Sequence, residues 1–160
     1  MITHFESPRP TEPETENHLQ WSAALGAGLI AGIVLLIVPR GSPWSTVTFF
    51  VPSILGRVVP ESWNLGLAGA ALIHLAVSLV YGIIISWVVS GIHEMRAVLT
   101  GGAIGLGLYL VNLGVISFSA PALRGNEVSV IFTHVVFGLI AGGAYRGLLR
   151  RRPAREEEVR

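Results

Sequence analysis

The 160-residue chain contains no cysteine, no lysine and no aspartate. Without thiols it can hold no disulfide framework, no thiolate metal site and no dithiol redox chemistry. Its 11 basic residues are all arginine, set against 10 glutamates, and a formal net charge of +1 leaves no broad footprint for nucleic acid. Charged residues make up only 13% of the chain, about half the share of an average soluble domain. So small a protein could not cover its surface in water with so little charge. Also missing are G-x-S-x-G, H-E-x-x-H and G-x-x-x-x-G-K-[ST], the signatures of the best-defined hydrolases, metalloproteases and nucleotide sites. What is present is apolar: 51% hydrophobic residues and 19 glycines. Lipid is the solvent this composition fits.

Four stretches carry no Asp, Glu, Lys or Arg: Asn17 to Pro39, Ser62 to His93, Ala97 to Leu123 and Val128 to Tyr145. Each can supply about 27 Å of helix at 1.5 Å per residue, close to the thickness of a hydrocarbon core. They predict spans at Trp21–Val38, Gly66–Ser90, Ala97–Phe118 and Val128–Leu149. The fold class expected is all-α, an integral membrane four-helix bundle. Short connections near Gly91–Arg96 and Ser119–Glu127 make neighbouring helices antiparallel, so the second and fourth run parallel.

Residues 1–20, with three prolines and four glutamates, lack the apolar side chains that repay ordering and read as a disordered cytoplasmic tail. Their acidic character is unlike a secretory signal, so the N-terminus is expected to be retained. Residues 21–149 form the four-span domain, and 150–160 a charged cytoplasmic tail. In the long first connection, Ser42-Pro43 reads as an N-cap followed by Pro at N1, and Trp44, Phe49, Phe50, Ile54 and Leu55 predict a short interfacial helix in the outer loop. Pro52 argues against a further span. With both termini inside, Arg9, Arg96, Arg146, Arg150, Arg151, Arg152, Arg155 and Arg160 face the cytoplasm, and only Arg40, Arg57 and Arg124 lie outside.

The helix faces carry four-spaced stripes of small residues, two of them with a histidine: Ala24, Gly28 and Gly32 in the first span; Gly66, Ala70, His74, Ser78, Gly82, Ser86 and Ser90 in the second; Gly101 and Gly105 in the third; His134, Gly138 and Gly142 in the fourth. In lipid, close approach at small side chains supplies the contacts that hold helices together. His74-x3-Ser78-x3-Gly82 echoes His134-x3-Gly138-x3-Gly142. A duplication would also need the first span to match the third; Trp21–Val38 shows no convincing match to Ala97–Phe118, so none is expected.

Depth singles out the candidate site. Counted from the outer end of each helix, His74, His134 and Asn112 fall about 9–12 Å into the membrane, and Ser78, Tyr81, Tyr109 and Thr133 complete a polar cluster. Ionisable groups at that depth carry a functional hypothesis. One is a b-type haem with His74 and His134 as axial ligands and Gly28, Gly32, Gly105 and Gly138 packing the macrocycle, an arrangement like that of cytochrome b membrane subunits. A second is a small transporter or proton path, although no span contains a carboxylate. The bland alternative is interhelical hydrogen bonding. His74 with Ser78 is an i,i+4 pair on one helix, more often packing than catalysis, and His93-Glu94 lies in the inner loop without a metal-ligand set.

The span pattern, with Ser42-Pro43-Trp44, His74 to Gly82, Tyr109-Leu110-Val111-Asn112 and His134 to Gly138, resembles a family of small bacterial four-span membrane proteins, some labelled sodium:proline symporters. The resemblance covers residues 21–150 and implies a protein of the bacterial inner membrane; the family brings no catalytic residues with it. A symporter needs discontinuous helices and inverted repeats, for which 160 residues are too few. The leading expectation is a non-enzymatic subunit or assembly factor of a larger membrane complex, respiratory if haem is bound, with the lipid bilayer and other membrane subunits as partners.

Overall fold

The computed structural model describes residues 19–37, 63–119, 121 and 127–151. Among these the only regular elements beyond a single-residue 3₁₀ turn are four helices: α1 (Trp21–Ile37), α2 (Trp63–Val89), α3 (Glu94–Ser119) and α4 (Glu127–Arg150). The all-α four-helix architecture is as the charge-free stretches predict. The expected interfacial helix and both expected tails lie outside the described residues, apart from Leu19, Gln20, Arg150 and Arg151.

Helices α2, α3 and α4 are long and apolar enough to cross a membrane. At 17 residues α1 is equally apolar but about two to three turns shorter. Large apolar side chains face outward along every helix, among them Leu29 on α1, Leu72 on α2, Leu110 on α3 and Phe132 on α4. In water this would be a severe exposure; in hydrocarbon it is the expected surface.

Local chemistry sets the helix ends. Glu94 and Glu127 stand in the first turns of α3 and α4, and Arg150 in the last turn of α4, each favourable to the helix dipole. At the C-terminal end of α2 the carbonyls of Trp87, Val89 and Ser90 each find a donor. Ser90 Oγ donates to Trp87 O at 2.9 Å, Ile92 N to Val89 O at 3.1 Å, and Arg146 Nη1 of α4 to Ser90 O at 3.2 Å.

The helices run up-down-up-down. The start of α1, the end of α2, the start of α3 and the end of α4 share one end of the bundle. There Gln20 N donates to the Tyr145 hydroxyl at 3.3 Å, and Arg150 pairs with Glu94 at 3.1 Å. All four described arginines, Arg96, Arg146, Arg150 and Arg151, lie at this end. Exposed Trp21 and Trp87 ring it, as interfacial tryptophans do.

Glycine decides how closely the helices approach. A Cβ added to Gly28 would meet Ser78 O at 2.6 Å and Gly82 Cα at 3.1 Å; one on Gly82 would strike Gly28 and lie 3.2 Å from Ala24 O. The second hairpin repeats the pattern. A Cβ on Gly101 would collide with Gly138 O and meet Gly142 Cα at 3.3 Å, and one on Gly142 would meet Ala97 O at 2.5 Å and Gly101 Cα at 3.5 Å. Thus Ala24-Gly28-Gly32 on α1 corresponds to Ala97-Gly101-Gly105 on α3. Likewise His74-Ser78-Gly82 on α2 corresponds to His134-Gly138-Gly142 on α4. The sequence echo is therefore one half of a packing motif that both hairpins share. The first and third spans match at their four-spaced small residues and almost nowhere else, because only the positions where backbones touch require it.

Between the hairpins the packing is unequal. A second row on α1, Ala23, Ala27 and Ala31, is buried beside Gly26, whose missing side chain makes room for Leu148 of α4. The corresponding positions on α3 are Arg96, Thr100 and Ile104, none of them fully buried, and α3 meets α2 only sparsely. Valine at Gly138 would drive side-chain atoms into the α3 backbone. Gly138→Val should therefore lower thermal stability in detergent by about 1–3 kcal/mol or prevent assembly. Gly107→Ala, at a glycine with nothing within 4 Å, should stay within about 0.5 kcal/mol of the parent. Equal melting temperatures for the two variants would contradict this packing.

Candidate functional site

The interior of the bundle gathers one residue from each of three helices. Tyr81 on α2 lies seven residues past His74, about two turns along the helix, and its ring reaches back toward the far end, where its hydroxyl donates to Asn112 Oδ1 of α3 at 2.6 Å. Asn112 Nδ2 donates to His134 Nε2 of α4 at 2.8 Å, and His134 Nδ1 donates to Val130 O, one turn back on the same helix, at 2.9 Å.

One backbone group sets the direction of this chain. A carbonyl can only accept, so His134 Nδ1 must carry the hydrogen, and in the neutral ring Nε2 must then accept. Asn112 has to turn its amide nitrogen toward the imidazole and its oxygen toward Tyr81, which leaves the phenol as donor. Aromatic rings enclose the chain. Tyr109, 5% exposed, stands edge-on to His134 with centroids 5.8 Å apart, and Phe137 stands edge-on to Tyr81 at 6.2 Å.

Of the predicted cluster, Tyr81, Tyr109, Asn112 and His134 are brought together. His74 is not part of it. Its Nε2 donates to Gly32 O of α1 at 3.0 Å, closing the α1–α2 seam where Ser78 is buried against Gly32. Thr133 Oγ1 donates to Ser129 O on its own helix at 2.7 Å. The two imidazoles thus occupy equivalent positions in the two hairpins and serve different seams, rather than facing each other.

A haem between His74 and His134 would require a free ring-nitrogen lone pair on each, aimed into a common slot. His74 is tied through Nε2–H to Gly32 O in the α1–α2 seam, and the Nε2 lone pair of His134 is committed to Asn112. The proposed slot is also closed. A Cβ on Gly28, Gly32, Gly105 or Gly138 would strike the neighbouring helix, so these glycines are filled by helix contact and leave no room for a macrocycle. The residues as arranged do not fit a haem. A proton wire fares no better, since the chain ends at Nδ1–H on a helix carbonyl that cannot pass a proton on. Among the described residues no group of three or more His, Cys, Asp or Glu could hold a metal.

Two polar atoms at the arginine-bearing end fall outside the polar cluster expected from sequence. Ser86 Oγ and Arg146 Nε are buried without a hydrogen-bond partner among the described residues. They occupy equivalent positions, twelve residues beyond His74 and His134 respectively, on the four-residue stripes that the sequence shows. No family model matches the chain, and no match was found among curated proteins or solved structures.

Removing the middle of the chain strands both ends. Asn112→Leu leaves a half-buried acceptor and a half-buried donor unpaired and should cost about 1–3 kcal/mol; Tyr81→Phe, which loses one hydrogen bond, should cost about 1 kcal/mol. Because both changes remove the same bond, the double variant should be less destabilised than the sum of the two. Strict additivity in thermal or denaturant unfolding would show that Tyr81 and Asn112 are not coupled.

Proposed function

We propose that this protein is a non-catalytic membrane subunit or assembly factor of a larger complex, lying in a bacterial cytoplasmic membrane with both termini on the cytoplasmic side. One observation carries the reading: the imidazoles within the spans are spent on holding the bundle together. His74 is bound to Gly32, and His134 to Val130 and Asn112. No ring nitrogen lone pair of His134 is left for a substrate, and no carboxylate lies within the interior of a span to couple an ion.

Other features agree. The described parts hold little beyond the helices, so there is no soluble catalytic module among them. The outward faces are apolar, and on α3 Gly107 and Gly114 have open space above them, where another helix could approach closely. The clustering of the described arginines with Trp21 and Trp87 at one end supports a cytoplasmic placement for that end.

The test is native purification of the tagged full chain after cross-linking in its own membrane. A discrete, stoichiometric assembly larger than the monomer is expected, with no Soret band assignable to this chain. A monodisperse monomer with nothing stoichiometric attached would overturn the proposal. Orientation is checked separately, and the absence of cysteine makes that simple. A Cys introduced at Ser119 should react with a membrane-impermeant maleimide in spheroplasts, and one at Arg151 only after lysis. The reverse pattern would invert the topology.

A further inference from the structure

We propose that His134 is a protonation-controlled latch on the seam between α2 and α3. Neutral His134 accepts from Asn112, which leaves Asn112 Oδ1 to accept from Tyr81, and this is the hydrogen bond that crosses the sparsely packed seam. The inference goes beyond the subunit role and does not depend on it.

The argument rests on the direction of the hydrogen bonds. Nδ1–H is held by Val130 O, so an added proton can go only to Nε2. Nε2–H then meets the amide hydrogens of Asn112, donor against donor. The contact is restored only if the amide turns over, presenting Oδ1 to the imidazolium and Nδ2 to Tyr81. The phenol must then accept where it donated, and its own hydrogen loses its partner. One proton at α4 therefore reverses or breaks the tie between α3 and α2.

The other histidine provides the contrast. His74 uses Nε2 as a donor to Gly32 O, and it remains a donor there when Nδ1 also takes a proton, so the α1–α2 seam does not respond. The two histidines occupy equivalent positions, yet the partners that make His134 responsive have no counterpart in the first hairpin. The position equivalent to Tyr81 is Ala141. The seam itself is the looser one, with Arg96, Thr100 and Ile104 where α1 has three buried alanines.

No fixed charge masks the effect among the described residues. His134 faces Tyr81 from α2, and Tyr109 and the uncharged Asn112 from α3. Helix α1 contains no charged or titratable residue, and on α4 the nearest ionisable group is Glu127, seven residues away.

The experiment uses the full chain in lipid nanodiscs. With no native cysteine, Leu72→Cys on α2 and Val115→Cys on α3, both at exposed positions, can be spin-labelled cleanly. The distance between the labels is read from about pH 8 to about pH 5, where imidazoles titrate, alongside histidine ring ¹⁵N spectra. We expect His134 to be the Nδ1–H tautomer at the alkaline end. At the acidic end it should become doubly protonated, with a reversible lengthening of the distance by about 1–2 Å or more. His74→Gln should keep the response, and His134→Gln and Asn112→Leu should lose it. Tyr81→Phe, which preserves shape, should also lose it while folding normally. Four results would each overturn the latch: an Nε2–H tautomer at His134, no protonation of His134 in this range, protonation without a change in distance, or acid-induced loss of helix in place of a reversible shift.

Discussion

Backbone contact between helices is the constraint on which the rest of this structure depends. In hydrocarbon an apolar side chain gains nothing by leaving lipid for a helix interface, so association must come from close packing and hydrogen bonds. The small residues at Ala24, Gly28, Gly82, Ala97, Gly101, Gly105, Gly138 and Gly142 bring main chain against main chain, and any larger side chain at the glycines would part the helices. Where that row is interrupted, as on the side of α3 that faces α2, the helices stand further apart and side chains have to bridge the space.

Those bridging side chains show how a repeated scaffold acquires a difference. Both hairpins place a histidine at the same point beside the glycine row. In the first, the imidazole closes its own seam by donating to Gly32. In the second, Asn112 and Tyr81 stand in reach, and the imidazole joins a chain that links three helices. The chemical identity of the two residues is the same; their roles differ because His74 uses Nε2 as a donor and His134 uses Nε2 as an acceptor.

The same geometry explains why cofactor and transport readings, reasonable for two histidines among glycines, lose ground. Four-spaced glycines can admit a flat ligand or another helix, and in this bundle a helix fills the space. A membrane protein whose span histidines are hydrogen-bonded within the bundle, and whose outward face is apolar with open glycines on α3 and α4, is suited to contact other membrane-embedded surfaces.

The chain alone determined its class, its four helices and their antiparallel order, because the scarcity of charge and the length of charge-free stretches are properties of composition that lipid imposes directly. It also marked His134, Asn112, Tyr81 and Tyr109 as polar residues at depth. It did not pair them, and it grouped His74 with them, since counting residues gives depth along a helix but not the seam toward which a side chain turns. Nor did it reveal the repeated hairpin: only the three-residue rows at Ala24 and Ala97 match between the first and third helices, and such rows are common in membrane spans. Which seams close on backbone, which is left to a tyrosine and an asparagine, and which histidine must accept a hydrogen were decided by the tertiary structure, because each depends on a contact between helices far apart in sequence.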